Sequence, residues 1–169
     1  MFGNLQRSRI IAYSAAFLGL ISIGAWISVP FFPVPLTLQT LFVLLAGAVM
    51  KRNAIIPVSL YMVLGALGLP VFHTGATGFG ILLGPTGGYL TGFVFAALVV
   101  GLFYERESAT MKITGLLAGT GIIYLCGVSW LMYSLSVGFV PAVISGVLPF
   151  IPGDLMKGYA VYKIAGRLP

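Results

Sequence analysis

The chain has 169 residues, 59% of them hydrophobic and only 7% charged, with a formal net charge of +6. Soluble domains average about 45–50% apolar and about 25% charged residues, so a soluble globular domain is excluded. The positive charge is no nucleic-acid signal, because the basic residues stand singly or in pairs at the ends of apolar runs, where topology determinants sit.

Several apolar runs approach the length that spans a bilayer. They are continuous rather than alternating, which argues against a β-barrel. The expected fold class is all-α: a polytopic membrane protein with six transmembrane helices in one compact bundle, residues 1–169 forming a single domain. The one cysteine, Cys126, lies inside an apolar run and reads as a small core residue. The N-terminus lacks a small-residue cleavage site, so the first run reads as a retained helix.

The first span is expected from Ile10 to Val29. Its Ala12-x-x-x-Ala16 and Ala15-x-x-x-Gly19 spacings place small residues one turn apart. Such a face admits a close neighbour, either within the bundle or from a partner. Pro30, Pro33 and Pro35 then break any helix and favour an extended path. Irregular backbone at membrane depth needs cover from protein or a water-filled cavity. Thr37, Gln39 and Thr40 open the second span, Leu36 to Met50. The Gln39 amide suits either a bond to another helix or a ligand contact.

Lys51-Arg52-Asn53 makes a polar turn. Asn53 is expected to cap the third span, with Pro57 in its first turn, and that span runs to Leu69. Pro70 to Gly88 is a glycine-rich connection ending Gly84-Pro85-Thr86-Gly87-Gly88-Tyr89. Its glycines allow close backbone approach. No glycine precedes a lysine, so a Walker A loop is absent. His73, the only histidine, has no evident metal-ligand partner and is given no role. No metal site is expected.

The fourth span covers Gly88 to Tyr104 and opens Gly88-x-x-x-Gly92. The fifth covers Ile113 to Leu135 and carries Gly115-x-x-x-Gly119. Residues 136–150, interrupted by Pro141 and Pro149, read as an interfacial or re-entrant piece. Pro152 suits the first turn of a sixth helix that ends near Ala165.

With six spans, Arg7, Arg9, Lys51, Arg52, Arg106, Lys112, Lys163 and Arg167 all fall on one side, and both termini are expected in the cytoplasm. Lys157 is the ninth basic residue and does not fit this pattern. Asp154 is the one acid outside the Glu105/Glu107 connection. Both sit at the start of the sixth helix, three residues apart and therefore on one face. A charge at mid-bilayer costs about 2.5–3.5 kcal/mol, so such residues usually mark a substrate or ion path. The plainer alternative is an internal ion pair that pins one helix to its neighbours. The outer half of the bundle thus gathers the proline-broken segment with Thr37 and Gln39, the glycine loop at Gly87, Gly88 and Tyr89, and the Asp154/Lys157 helix start. Apolar walls with few polar groups suit a small amphipathic ligand. Lys157 could meet an anionic end, and Asp154 could accept N–H donors.

Four stretches, in order, resemble the BioY family, the biotin-binding S components of energy-coupling factor (ECF) transporters. Pro33 to Thr40 resembles its PVPxTxQT signature and Leu64 to Phe72 its GALGLPVF signature. Gly84 to Tyr89 matches GPTGGY, and Pro149 to Lys157 the closing PFxPGDxxK pattern. The resemblance covers nearly the whole chain. It implies a six-helix protein of the prokaryotic cell membrane that binds biotin, as transported ligand rather than cofactor, with high affinity from outside. It implies Thr37, Gln39, Gly87, Gly88, Tyr89, Asp154 and Lys157 as the ligand set. It further implies a transmembrane coupling protein and two ATP-binding-cassette ATPases as partners, with Ala12 and Ala16 at that interface. The lack of a nucleotide site agrees, since uphill transport then needs outside energy. Rival readings are an S component for another vitamin, a solitary carrier or channel, and a membrane enzyme. The last is weak, because the chain has no paired carboxylates and no Ser-His-Asp set.

Overall fold

The computed structural model describes residues 2–168, with side chains from Asn4. The apolar runs fold into α1 (Phe2–Trp26), α2 (Gln39–Met50), α3 (Ile55–Ala66), α4 (Phe79–Leu83), α5 (Gly87–Tyr104), α6 (Ala109–Leu135), α7 (Phe139–Gly146) and α8 (Ile151–Ala165). Between α1 and α2, β1 (Ser28–Val29) pairs antiparallel with β2 (Leu36–Thr37), Ser28 opposite Thr37. The three prolines occupy the loop of this hairpin, where no ladder N–H is needed.

By length and apolarity, four stretches could cross a bilayer: Asn4–Trp26, Gln39–Ala66, Gly87–Tyr104 and Ala109–Leu135. A fifth is the pair α7 and α8, bent by 53° at their junction. The Gln39–Ala66 stretch is folded back on itself. The Gln39 amide donates to the Tyr61 hydroxyl 22 residues away, whereas a straight helix would hold them about 33 Å apart. The reversal is a 3-10 turn over Lys51–Ala54, opened by Lys51 at φ 55°. Asn53 lies inside this turn and makes no capping bond, contrary to expectation, because Ala54 takes the cap position. Pro57 and Pro152 do sit in the first turns of α3 and α8. The glycine-rich connection from Pro70 to Gly88 contains the short α4.

The seam between α5 and α6 explains the two small-residue spacings. A Cβ on Gly88 would lie 2.2 Å from Trp130 Cβ, and one on Gly92 3.1 Å from Ile123 Cα. On the facing helix, a Cβ on Gly119 would lie 2.6 Å from Val100 Cγ2, and one on Gly115 2.4 Å from Phe103 Cβ. The contacts run in opposite directions along the two sequences, so the helices are antiparallel. Without side chains at these positions the backbones close on each other, which is how helices associate in lipid.

Packing is inverted relative to a soluble protein. Tyr61, Phe72, Ile21, Leu44 and Leu131 are fully buried, yet Ile11, Phe95, Leu117, Leu125 and Tyr133 stand exposed around the outside. Charge collects at one end. Arg52 grips Glu105 with two bonds of 2.6 and 2.7 Å, tying the α2–α3 turn to the end of α5. The hydrogen bond from Arg52 holds the Glu105 carboxyl below the ordinary carboxylate range.

Tyr89 is held in a slot between α6 and α7. Its hydroxyl donates to the Gly146 carbonyl at 2.9 Å, and a Cβ on Gly127 would meet its ring at 2.3 Å. Gly127→Val is therefore expected to lower stability by about 1–3 kcal/mol, the usual cost of overpacking. Thermal denaturation in detergent measures this. Gly19→Ala is the control: no atom lies within 4 Å of its added Cβ, and the melting temperature should hold or rise.

Candidate functional site

The end of the bundle away from the Arg52–Glu105 bridge holds a cavity with about 510 Å³ of empty space, counting its open mouth. Its apolar walls are Val34, Pro35, Leu90, Phe93, Ile123 and Phe150. Its polar groups come from separate parts of the chain: Thr37, Gln39 and Thr40 around the start of α2, Tyr124 from α6, and Asp154 and Lys157 from α8. His73 and Thr86 reach it from the connection on either side of α4. Burial keeps the His73 imidazole below its ordinary pKa, so at neutral pH it brings no charge.

The polar groups form one network. Lys157 Nζ donates to Asp154 Oδ1, to the Thr37 carbonyl and to Thr40 Oγ1, each at 2.8 Å. An ammonium has three donors, so all three are engaged. Asp154 Oδ1 also accepts from Thr40 at 3.1 Å, and Oδ2 accepts from the Tyr124 hydroxyl at 2.7 Å. The two side chains are 5% and 15% exposed. A buried pair persists only when hydrogen bonds satisfy its remaining lone pairs and protons, and here they do.

Local structure places each partner. The hairpin of β1 and β2 turns the Thr37 carbonyl toward α8. The Thr37 hydroxyl accepts from the Gln39 backbone N–H at 3.2 Å, across the first turn of α2, and donates to Gln39 Oε1 at 3.1 Å. With Tyr61 on its amide nitrogen, Gln39 is a helix-to-helix tie whose side chain also borders the cavity. Tyr61 in turn packs edge-on to Phe72, with centroids 5.4 Å apart. Phe72 lies directly over Gly65, where a Cβ would come within 2.2 Å. Leu64 to Phe72 is thus a buttress behind Gln39.

Of the expected ligand set, Thr37, Gln39, Tyr89, Asp154 and Lys157 border the cavity. Gly87 and Gly88 do not. Added Cβ atoms there would meet the Leu82 carbonyl and Trp130, so these glycines press α5 against its neighbours. The Gly84 carbonyl accepts from the Trp130 indole at 2.9 Å, fixing the same loop. What this loop brings to the cavity is Tyr89, whose ring stacks on Phe150 at 6.5 Å. Sequence reasoning missed Tyr124 and gave no site role to Thr40. Tyr124 was signalled only by a hydroxyl in the middle of an apolar span.

Ala12 and Ala16 are exposed. At about 100° per residue they share a face with Gly19, opposite the face of Phe17 and Ile21 that enters the core. No atom lies within 4 Å of a Cβ on Gly19, so this small-residue face is unpartnered among the described residues.

An apolar helical bundle around a charged, fully hydrogen-bonded cavity defines a multi-pass membrane protein that accommodates a small molecule. The BioY family model matches residues 3–169, and the chain belongs to the BioY family. The biotin transporter BioY of Thermotoga maritima is 43% identical over 169 residues, 95% of each chain. The probable biotin transporter BioY of Pyrococcus horikoshii is 42% identical over 164 residues, 96% of this chain and 98% of the relative. The solved structure of the S-component for biotin from an ECF-type ABC transporter superposes with a TM-score of 0.87 at 29% identity. The match covers 97% of this chain and 92% of that one.

Tyr124→Phe removes one bond to the buried carboxylate and should cost about 1.5–3 kcal/mol of stability. Thr40→Val removes a donor to Asp154 and an acceptor from Lys157 and should cost more. Melting of the ligand-free protein in detergent checks the order, and equal, negligible losses would show that water replaces these bonds.

Proposed function

We propose that the chain is the high-affinity biotin-binding S component of an ECF transporter. Uptake is driven by ATP hydrolysis in two partner ATPases reached through a transmembrane coupling protein. Family membership and the biotin-transport function of the relatives support this. The observation that carries it is the hydrogen-bonded Asp154–Lys157 pair facing a largely apolar cavity. The whole chain acts as one substrate-binding domain in the prokaryotic cell membrane. Counting the α2–α3 hairpin as two crossings, and the bent α7–α8 pair as one, makes six. The positive-inside rule then puts both termini in the cytoplasm and the cavity at the outer face.

The geometry refines how biotin is held. Asp154 and Lys157 touch, so both meet the same end of an extended ligand. Biotin's ureido ring presents a carbonyl flanked by N–H groups, which matches an ammonium beside a carboxylate. The carboxylate end then points toward the mouth, and the Tyr89 and Phe150 rings flank the bicycle.

Removing one member of a buried pair leaves the other uncompensated, at about 3–5 kcal/mol. Asp154→Asn or Lys157→Met should weaken biotin binding by orders of magnitude, since about 1.4 kcal/mol is tenfold. The double substitution restores charge balance and should fold without recovering affinity. A folded double variant with near-normal affinity would refute the site. The same equilibrium assay, run across a vitamin panel and with biotin amide in place of the acid, tests the ligand and its orientation. Tight binding of the amide supports the ureido contact, and loss of it returns Lys157 to the carboxylate.

The unpartnered face of α1 is the surface offered to the coupling protein. Replacing Ala12 and Ala16 with leucine should abolish uptake in cells while purified protein still binds biotin. Normal uptake would place the interface elsewhere.

A further inference from the structure

The charged end of the bundle carries a second cleft, with about 1410 Å³ of empty space counting its mouth. Lys51, Arg106, Lys112, Lys163 and Arg167 converge on it from four segments of the chain, against Glu105 and Glu107. Glu105 is already neutralised by Arg52. Among the described residues, none of the five cations is in an ion pair. Membrane topology requires basic residues at this end, but not that they face one cup.

Two observations go beyond topology. Tyr104, only 7% exposed, lines the cleft, and its buried hydroxyl has no hydrogen-bond partner among the described residues. A buried hydroxyl left unmatched is costly, which points to an acceptor supplied from outside the chain. Lys112 stands 5.9 Å from the centre of the same ring. Secondly, the cleft runs into an apolar groove between α6 and α8, and Tyr162 and Lys163 belong to both. The groove is walled by Leu116, Leu117, Gly121 and Leu155, of which Leu117 and Leu155 are 59% and 60% exposed.

A cationic cup continuous with an apolar groove has the shape of an amphiphile with an anionic head. We propose that an anionic phospholipid binds here, its phosphate among the cations and accepting from Tyr104, one acyl chain along α6 and α8. Basic pockets between membrane helices hold anionic headgroups in this way. The groove argues against a free phosphate, which would have no use for it. At its far end the groove also meets Tyr124 and Asp154, which border the other cavity, so the lipid is tested on ligand-free protein.

Native mass spectrometry of the intact purified chain, titrated with dioleoylphosphatidylglycerol or dioleoylphosphatidylcholine, tests it. The phosphatidylglycerol should be retained about tenfold more tightly or better, and Lys163→Gln/Arg167→Gln should erase the difference. Gly121→Leu fills the groove at a position with no atom within 4 Å and leaves every charge in place. It should also weaken retention severalfold. Equal retention of the two lipids, unchanged retention in Gly121→Leu, or displacement by millimolar inorganic phosphate would each overturn the assignment. If the double charge variant fails to fold, Tyr104→Phe decides. It keeps the ring, and undiminished phosphatidylglycerol retention in it refutes the phosphate placement.

Discussion

One ion pair inside an apolar bundle sets the requirements for much of the chain. Asp154 and Lys157 together present one ammonium and two carboxylate oxygens that must all be matched away from water. The hairpin of β1 and β2 supplies a carbonyl, α2 a threonine and α6 a tyrosine. None of these could be in place unless α8 lay against both α2 and α6. The pair therefore fixes helix arrangement as well as site chemistry.

Much of what looks like site in the sequence is support behind the site. Gly65 admits the Phe72 ring, which braces Tyr61. Tyr61 holds the Gln39 amide, and Gln39 orders Thr37. A substitution at Gly65 would thus be felt at Lys157 through four intervening side chains. The two glycines before Tyr89 work the same way. They let α5 settle against α4 and α6 so that an aromatic ring, rather than a loop backbone, faces the cavity.

The main spans were legible because apolar runs punctuated by proline and glycine have few ways to fold in lipid. The α5–α6 seam was legible as two small-residue spacings, although their pairing with each other was not. Asp154 and Lys157 were legible because charge is rare here and topology did not need it. Tyr124 was not, since a tyrosine within an apolar run has no charge to betray it, and only the fold brings it to the carboxylate. Gly87 and Gly88 stand behind the cavity wall for a related reason: a motif marks which residues go together, not which of them face the cavity. The short helix α4 was missed because five residues hold too little periodicity to read.

The fully engaged Lys157 has a thermodynamic consequence. Only about 50 Å³ of the cavity admits the centre of a water molecule, and its ammonium has no free donor. On the proposed site, ligand capture at Lys157 is an exchange, in which each new polar bond replaces one that the protein already makes to itself. Polar contacts then add little net affinity, and the apolar walls supply most of the driving force. Discrimination follows the opposite rule. An analogue short of one matching group would break an internal bond without replacing it, at about 1–3 kcal/mol for each polar group left bare. Such a site tests ligands by subtraction, rejecting what is incomplete more strongly than it rewards what is present.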